Sequence, residues 1–245
     1  MKKYMLVASA GMLILFAVTG CGKNALLSAL PEAASSTSGA TIIPASVFAD
    51  DFNAYVVGPF STGTSGWTVS SGAFSIASID GILFASASRS LCLDQIDSSK
   101  GGVQVSHSFA PATVLYAEFN CQTTSVTGWG FEAGPTVGGT FPVYVEILNG
   151  EIVLFYITYS TPSSKSWTGT NTGFMVSPNT WYKINLRVDV SAKTWLLLVN
   201  GVTPPGASSG TFNADGTLTG LIDGIKFKSG SGNCTYYADD IKVTR

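Results

Sequence analysis

Polar and apolar residues alternate with a period of two along residues 181–201, WYKINLRVDVSAKTWLLLVNG. Tyr182, Ile184, Leu186, Val188 and Val190 fall on one face, while Lys183, Asn185, Arg187 and Asp189 fall on the other. This predicts a strand with one buried and one solvated face. Ser191 to Lys193 turn the chain, and Trp195 to Val199 form a nearly continuous apolar strand. The strand ends at Asn200-Gly201, a pair suited to the positive φ angles of a tight turn, so the stretch reads as a β-hairpin.

Similar short runs fill the rest of the chain. The segments GWTVSSG, AFSIASI, ILFASAS and SLCLDQI, between Gly66 and Ile96, are divided by Gly, Ser and Asp turns and read as successive strands. Val103 to Phe109 and Val114 to Gln122 form the next pair, joined at Ala110-Pro111-Ala112. In the second member Leu115, Ala117, Phe119 and Cys121 share one face; Val114, Tyr116, Glu118, Asn120 and Gln122 share the other. Trp129 to Ala133 follows, then a hairpin from Val143 to Tyr159 around Asn149-Gly150. Ser160 to Thr172 reads as a long polar loop, and GLIDGIKFKSG and CTYYADDIKV as closing strands. From Phe48 to Arg245 no segment has helical periodicity. Roughly twelve to fourteen short strands predict an all-β fold, two antiparallel sheets stacked as a sandwich. The absence of a fixed-period repeat argues against a propeller or solenoid.

The N-terminus carries an address. Lys2 and Lys3 precede an apolar segment from Tyr4 to Val18, and small residues follow up to Cys21, the pattern of an export signal. Val18-Thr19-Gly20-Cys21 resembles the bacterial lipobox, which implies cleavage after residue 20 and acylation of Cys21. About fifteen apolar residues are fewer than the roughly 20 that span a bilayer, so acyl chains replace a spanning helix as the membrane anchor. By resemblance to the sorting rule of enteric bacteria, Gly22 in place of Asp after the cysteine implies the outer membrane or cell surface of the bacterial envelope. Residues 21–47, rich in Ala, Ser and Thr, read as a flexible tether, and 48–245 as the folded domain.

Charged residues make up 11% of the chain, below the average of about 25%, a deficit typical of extracytoplasmic β-proteins. Removal of residues 1–20 takes two of the 13 basic residues and none of the 15 acids, moving the formal charge from −2 to −4. No basic stripe remains, which excludes nucleic acid as an expected partner. Beyond Cys21, three cysteines are left: Cys92, Cys121 and Cys234. An oxidising compartment permits one disulfide and one thiol, with three pairings open, or all three as small buried hydrophobes. No pair has metal-ligand spacing.

Four motifs occur in order: ADDF (49–52), GW (66–67), NTWYKINLRVDVSAKTWLLLVNG (179–201) and YYADDIKV (236–243). Together they resemble the concanavalin A-like lectin/glucanase superfamily, in particular its laminin G-like jelly rolls, over residues 48–245. The resemblance implies a jelly-roll sandwich and, as the leading expectation, a lipid-anchored, lectin-like domain that binds a polysaccharide or glycan without catalysis. Glycoside hydrolases, polysaccharide lyases and structural or adhesion domains share this architecture and stand as alternatives.

Candidate chemistry follows. His107 is the single histidine, and neither a Gly-x-Ser-x-Gly elbow nor the Glu-x-Asp-x-x-Glu strand of the glucanase branch is present, so no catalytic residue is assigned. Glu118, Glu132 and Glu146 lie on segments that could be neighbours, and two carboxylates about 5 to 9 Å apart are the minimum for glycoside hydrolysis. Sugars offer C–H patches to aromatic rings and hydroxyls to planar polar groups. The ligand-binding candidates are therefore Tyr116, Glu118, Asn120, Gln122, Trp129, Glu132, Tyr144, Glu146 and Trp167, whereas Trp67, Trp181 and Trp195 are assigned to packing. In relatives of this jelly roll the first and last strands lie close together and hold a structural calcium. The resemblance thus implies Asp50, Asp51, Asp239 and Asp240 as calcium ligands, supplying the hard oxygens that ion needs.

Overall fold

The computed structural model describes residues 46–72, 75–95, 102–126, 130–161, 164–212, 220–230 and 234–245. Sixteen strands occur among them: β1 (Ser46–Asp50), β2 (Gly58–Pro59), β3 (Trp67–Ser70), β4 (Ser75–Asp80), β5 (Ser90–Gln95), β6 (Gln104–Ala112), β7 (Val114–Thr123), β8 (Phe131–Thr136), β9 (Val143–Leu148), β10 (Glu151–Thr161), β11 (Ser164–Met175), β12 (Tyr182–Asp189), β13 (Thr194–Val199), β14 (Ser209–Thr211), β15 (Ile222–Ser229) and β16 (Cys234–Thr244). The one helical element described is a three-residue 3-10 turn, Thr64–Gly66.

All pairings are antiparallel and form two sheets. One runs β14-β13-β12-β7-β16-β5-β4-β2, with β1 also on β16; the other runs β11-β10-β9-β8-β15-β6-β3. Consecutive strands repeatedly change sheet, as from β7 to β8 and from β15 to β16, which is the winding of a jelly-roll sandwich. The expected hairpin is β12–β13, in register from Ile184 opposite Val199 to Asp189 opposite Thr194. Lys193 in its turn has φ of 56°, and the tight turn that follows β13, Asn200-Gly201, has φ of 52° and 74°.

The core lies between the sheets and takes one face of each strand. Leu115, Ala117, Phe119 and Cys121 of β7 are buried, as are Tyr182, Ile184, Leu186 and Val188 of β12. Across the sandwich, Phe119 meets Phe227 of β15 edge-on with centroids 5.3 Å apart, and Phe131 of β8 lies 5.8 Å from Phe227. Trp67 is buried, as assigned, and donates its indole N–H to Asp50 at 2.8 Å.

Several elements differ from the sequence pattern. ILFASAS is a turn-rich loop, because its backbone N–H groups find carboxylates in place of a neighbouring strand: Ile82 N donates to Asp80, and Ala85 N and Ser86 N donate to Asp239. Ser160 to Thr172 is largely strand: β11 pairs with β10 along its length, a polar edge strand whose Ser and Thr residues mimic a loop. Asp189 is buried rather than solvated, since it accepts hydrogen bonds from Ser191 Oγ and Ala192 N and closes the hairpin turn. Cys92, Cys121 and Cys234 are buried free thiols. Burial pushes the Cys92 thiol up to about 11 and the Cys121 thiol up to about 12.

Candidate functional site

Each strand of the seven-stranded sheet alternates between core and outer face. In β15, Ile225 and Phe227 enter the core, which leaves Lys226 and Lys228 outward. In β8, Phe131 and Ala133 enter the core, leaving Glu132 and Gly134 outward; in β9, Val143, Val145 and Ile147 do so, leaving Tyr144 and Glu146. Register joins them across strands: Lys228 stands opposite both Gln104 and Glu132, and Glu132 opposite Glu146. The outer face therefore carries a contiguous row from Gln104 through Lys228 and Glu132 to Glu146.

Beside this row is a wall of aromatic rings. Tyr144 stacks on Phe155 of β10, centroids 5.2 Å apart and planes within 8°, and meets Phe141 at 5.2 Å and Trp167 of β11 edge-on at 5.3 Å. Two glycines make room for it. A Cβ on Gly134 would sit 2.7 Å from the Val143 carbonyl oxygen and 3.1 Å from Tyr144 Cα, and one on Gly169 would strike the Phe155 ring at 2.7 Å. The result is an open cleft of about 300 Å³ lined by Gln104, Glu132, Gly139, Thr140, Phe141, Tyr144, Trp167, Lys226 and Lys228. Trp167 remains 37% exposed.

One end of the cleft is the turn Val137–Thr140, held on several sides. Asp223 accepts from Thr136 Oγ1 and from Gly138 N, Lys226 Nζ donates to the Gly139 carbonyl at 2.6 Å, and Lys165 Nζ donates to Thr140 Oγ1 at 2.7 Å. Lys226 also lies 5.1 Å from the Phe141 ring centroid, a cation–π contact. Its pKa is lowered, first by burial and then by the neighbouring charge of Lys228. Lys228 is tied to Glu132 by a 2.7 Å ion pair.

Glu146 is 2% exposed, and its Oε1 has no hydrogen-bond partner among the described residues. Burial, reinforced by the adjacent charge of Glu132, raises its pKa to about 7 against the opposing pull of the Gly130 N–H and Lys228. The two glutamates thus stand in different surroundings: Glu132 is paired with Lys228, while Glu146 is enclosed and keeps its proton until about pH 7.

The remaining sequence candidates lie elsewhere. Tyr116, Glu118, Asn120 and Gln122 all belong to β7, in the nine-stranded sheet, so Glu118 is not brought to Glu132 and Glu146. Three of them point outward and are already engaged by side chains of neighbouring strands. Arg187 covers the Tyr116 ring at 5.7 Å, Glu118 pairs with Lys183 at 2.8 Å and accepts from Asn185, and Asn120 donates to Asp240 at 2.7 Å. Gln122 is buried rather than exposed, opposite Tyr237, which itself packs against Trp181. Trp129 and Cys21 lie outside the described residues.

The acid pairs do sit on paired strands, since Asp50 of β1 is level with Ile241 of β16. Their carboxylates nevertheless face protein donors. Asp50 accepts from Phe52 N, Tyr55 OH and Trp67 Nε1; Asp51 from Asn53 N; Asp239 from Ala85 N and Ser86 N; Asp240 from Ser86 Oγ and Asn120 Nδ2. Among the described residues no group of three or more acidic, His or Cys side chains could hold a metal ion, so the four acids are not gathered as the ligand set that calcium needs.

Of the sequence candidates, Glu132, Tyr144, Glu146 and Trp167 lie together on this face, where they are joined by Gln104, Phe141, Phe155, Lys226 and Lys228, which were not among the candidates. The alternation in GIKFK marks both lysines as outward, yet only the strand order puts them beside Glu132 and Tyr144.

No family model and no curated protein matches the chain. Solved structures do. A sialidase superposes with TM-score 0.60 at 11% identity over 82% of this chain, which spans only 18% of the sialidase. An endo-β-1,4-glucuronan lyase from the fungus Trichoderma reesei gives 0.53 at 11% identity, covering 77% of this chain and 94% of the lyase. An endo-1,3-β-glucanase from Streptomyces sioyaensis gives 0.52 at 14% identity, covering 85% and 99%. At such identities these likenesses establish the sandwich fold.

Proposed function

We propose that this domain binds carbohydrate, without catalysis, in the cleft on the outer face of the seven-stranded sheet, and that Cys21 tethers it by lipid to the surface of a bacterial cell. The observation that carries the reading is the pairing of an aromatic wall, Tyr144 and Trp167, with a polar row, Gln104, Glu132, Lys226 and Lys228, across one open cleft. Rings accept the C–H faces of a sugar, and the polar row accepts and donates to its hydroxyls. The glycan-active names among the solved structures, a sialidase, a lyase and a glucanase, agree with a carbohydrate ligand.

The test is titration calorimetry of the full-length protein against a panel of neutral and acidic polysaccharides, with Trp167→Ala and Tyr116→Ala compared. Loss of the Trp167 ring removes an aromatic contact of about 1 kcal/mol or more, so affinity should fall at least about fivefold. Tyr116→Ala, on the opposite sheet, should leave it unchanged. Binding insensitive to Trp167 and abolished by Tyr116→Ala would move the site to the other face.

A catalytic reading has one observation in its favour. Glu132 and Glu146 are directly opposed across β8 and β9, a relation that puts Cβ atoms about 4.5–5.5 Å apart, and the raised pKa of Glu146 suits a general acid beside a paired carboxylate. Against it, Glu146 is closed off from solvent and Lys228 already engages Glu132. Release of reducing or unsaturated ends, lost on Glu132→Gln, would establish this second reading in place of the first.

A further inference from the structure

We propose that the sugar taken by this cleft is anionic, its carboxylate or sulfate group recognised by Lys226 with Lys228 beside it; the inference rests on the carbohydrate-binding reading and specifies its ligand class. Lys228 is matched by Glu132 in a 2.7 Å ion pair, whereas Lys226 has no ion-pair partner among the described residues. An ammonium has three donors, and the polar acceptor of Lys226 is one carbonyl, that of Gly139. It also faces the Phe141 ring, and Glu132 and Asp223 act on it only from beyond ion-pair distance. The nearby carboxylate of Asp223 is occupied by Thr136 Oγ1 and Gly138 N.

Two further features point the same way. Glu146, the other acid of the row, is enclosed, and its pKa raised to about 7 leaves it less than fully charged near neutral pH. Lys165, exposed at the rim on Thr140, adds a third cation, although the whole chain carries a net charge of −2. The cleft therefore concentrates positive charge on an acidic protein, with its unmatched ammonium beside the rings that would receive the sugar face. Lys226 and Lys228 stand two residues apart on one strand face, roughly 7 Å, so an anion on a ring seated against Tyr144 can engage one or both.

The experiment measures affinity of the full-length protein for polygalacturonate, alginate, glucuronan and dextran sulfate. The neutral arms are carboxyl-reduced polygalacturonate, dextran and β-1,3-glucan. At least one acidic polymer should bind about tenfold more tightly than its neutral counterpart, with affinity falling as salt rises. Lys226→Gln should weaken that binding about tenfold, Lys226→Arg should retain it, and Lys242→Gln, an equal charge change on the opposite sheet, should not alter it. Which acidic arm binds distinguishes carboxylate from sulfate. Equal affinity for acidic and neutral polymers, or no response to Lys226→Gln in a protein whose melt is unchanged, overturns the anionic inference and leaves carbohydrate binding standing. Equal weakening by Lys242→Gln reduces the effect to general charge and likewise overturns it. Failure of every polymer, acidic and neutral, removes both readings.

Discussion

Glu146→Gln isolates the energetic effect of a buried acid in the candidate site. The side chain is almost inaccessible, and its pKa rises from the ordinary 4.5 to about 7 because burial and the charge of Glu132 both disfavour the carboxylate. For an acid with a raised folded-state pKa, the native state holds the proton more tightly than the unfolded chain does. Its stabilising contribution is complete below the unfolded value and is lost as pH rises through the folded one. The window is therefore pH 4.5 to about 7. Across it the difference in proton affinity amounts to about 3 kcal/mol, at 1.36 kcal/mol per pH unit. A glutamine keeps the shape, and its carbonyl still accepts the Gly130 N–H, but it never ionises. At pH 5 wild type and Glu146→Gln should melt within roughly 2–4 °C of each other, whereas at pH 8.5 the variant should melt roughly 6–12 °C higher. Thermal melts by circular dichroism at the two pH values read this directly. Parallel curves, or a variant less stable at the higher pH, would show that Glu146 is ionised and solvated in the native protein and would refute the reasoning.

Two further predictions concern packing. Gly134→Ala places a Cβ 2.7 Å from the Val143 carbonyl oxygen, where neither backbone can yield without opening β8 from β9. It should destabilise by about 1–3 kcal/mol in urea denaturation and widen the floor beneath Tyr144; an unchanged midpoint would mean that the strands are not this close. Cys92, Cys121 and Cys234, buried and with raised thiol pKa values for the first two, should resist a thiol reagent in the native protein at pH 8 and react once urea unfolds it. Peptide mapping keeps them distinct from Cys21, and rapid native labelling of any of the three would contradict its burial.

Period-two alternation made the faces of β7 and β12 legible, because a strand between a core and solvent can bury only every second residue. It failed where a second layer covers the outer face. Gln122 obeys the alternation yet is buried, since Tyr237 and Trp181 close over that corner. It failed also at β11, whose Ser, Thr and Gly residues satisfy an edge strand as readily as a loop. Alternation assigns a residue to a face of its own strand but not to a sheet. Glu118 and Glu132 are both outward and close in sequence, yet the crossing from β7 to β8 sends them to opposite sides of the sandwich.

The two outer faces then differ in how far their polar groups are already satisfied. On the nine-stranded sheet Glu118 is held by Lys183 and Asn185, Arg187 by Asp189 and the Tyr116 ring, and Asn120 by Asp240, so a ligand there would have to displace contacts that already exist. Such a face gains rigidity from its cross-strand pairs and little incentive to bind. On the seven-stranded sheet Gly134 and Gly169 let the aromatic wall settle, the turn at Val137–Thr140 raises one end, and Lys226 has no ion-pair partner among the described residues. Desolvating that ammonium without a counter-charge is unfavourable, and an incoming anion would relieve it. The same free energy that makes an unmatched Lys226 a liability makes it the strongest point of attachment once an anion is seated against it.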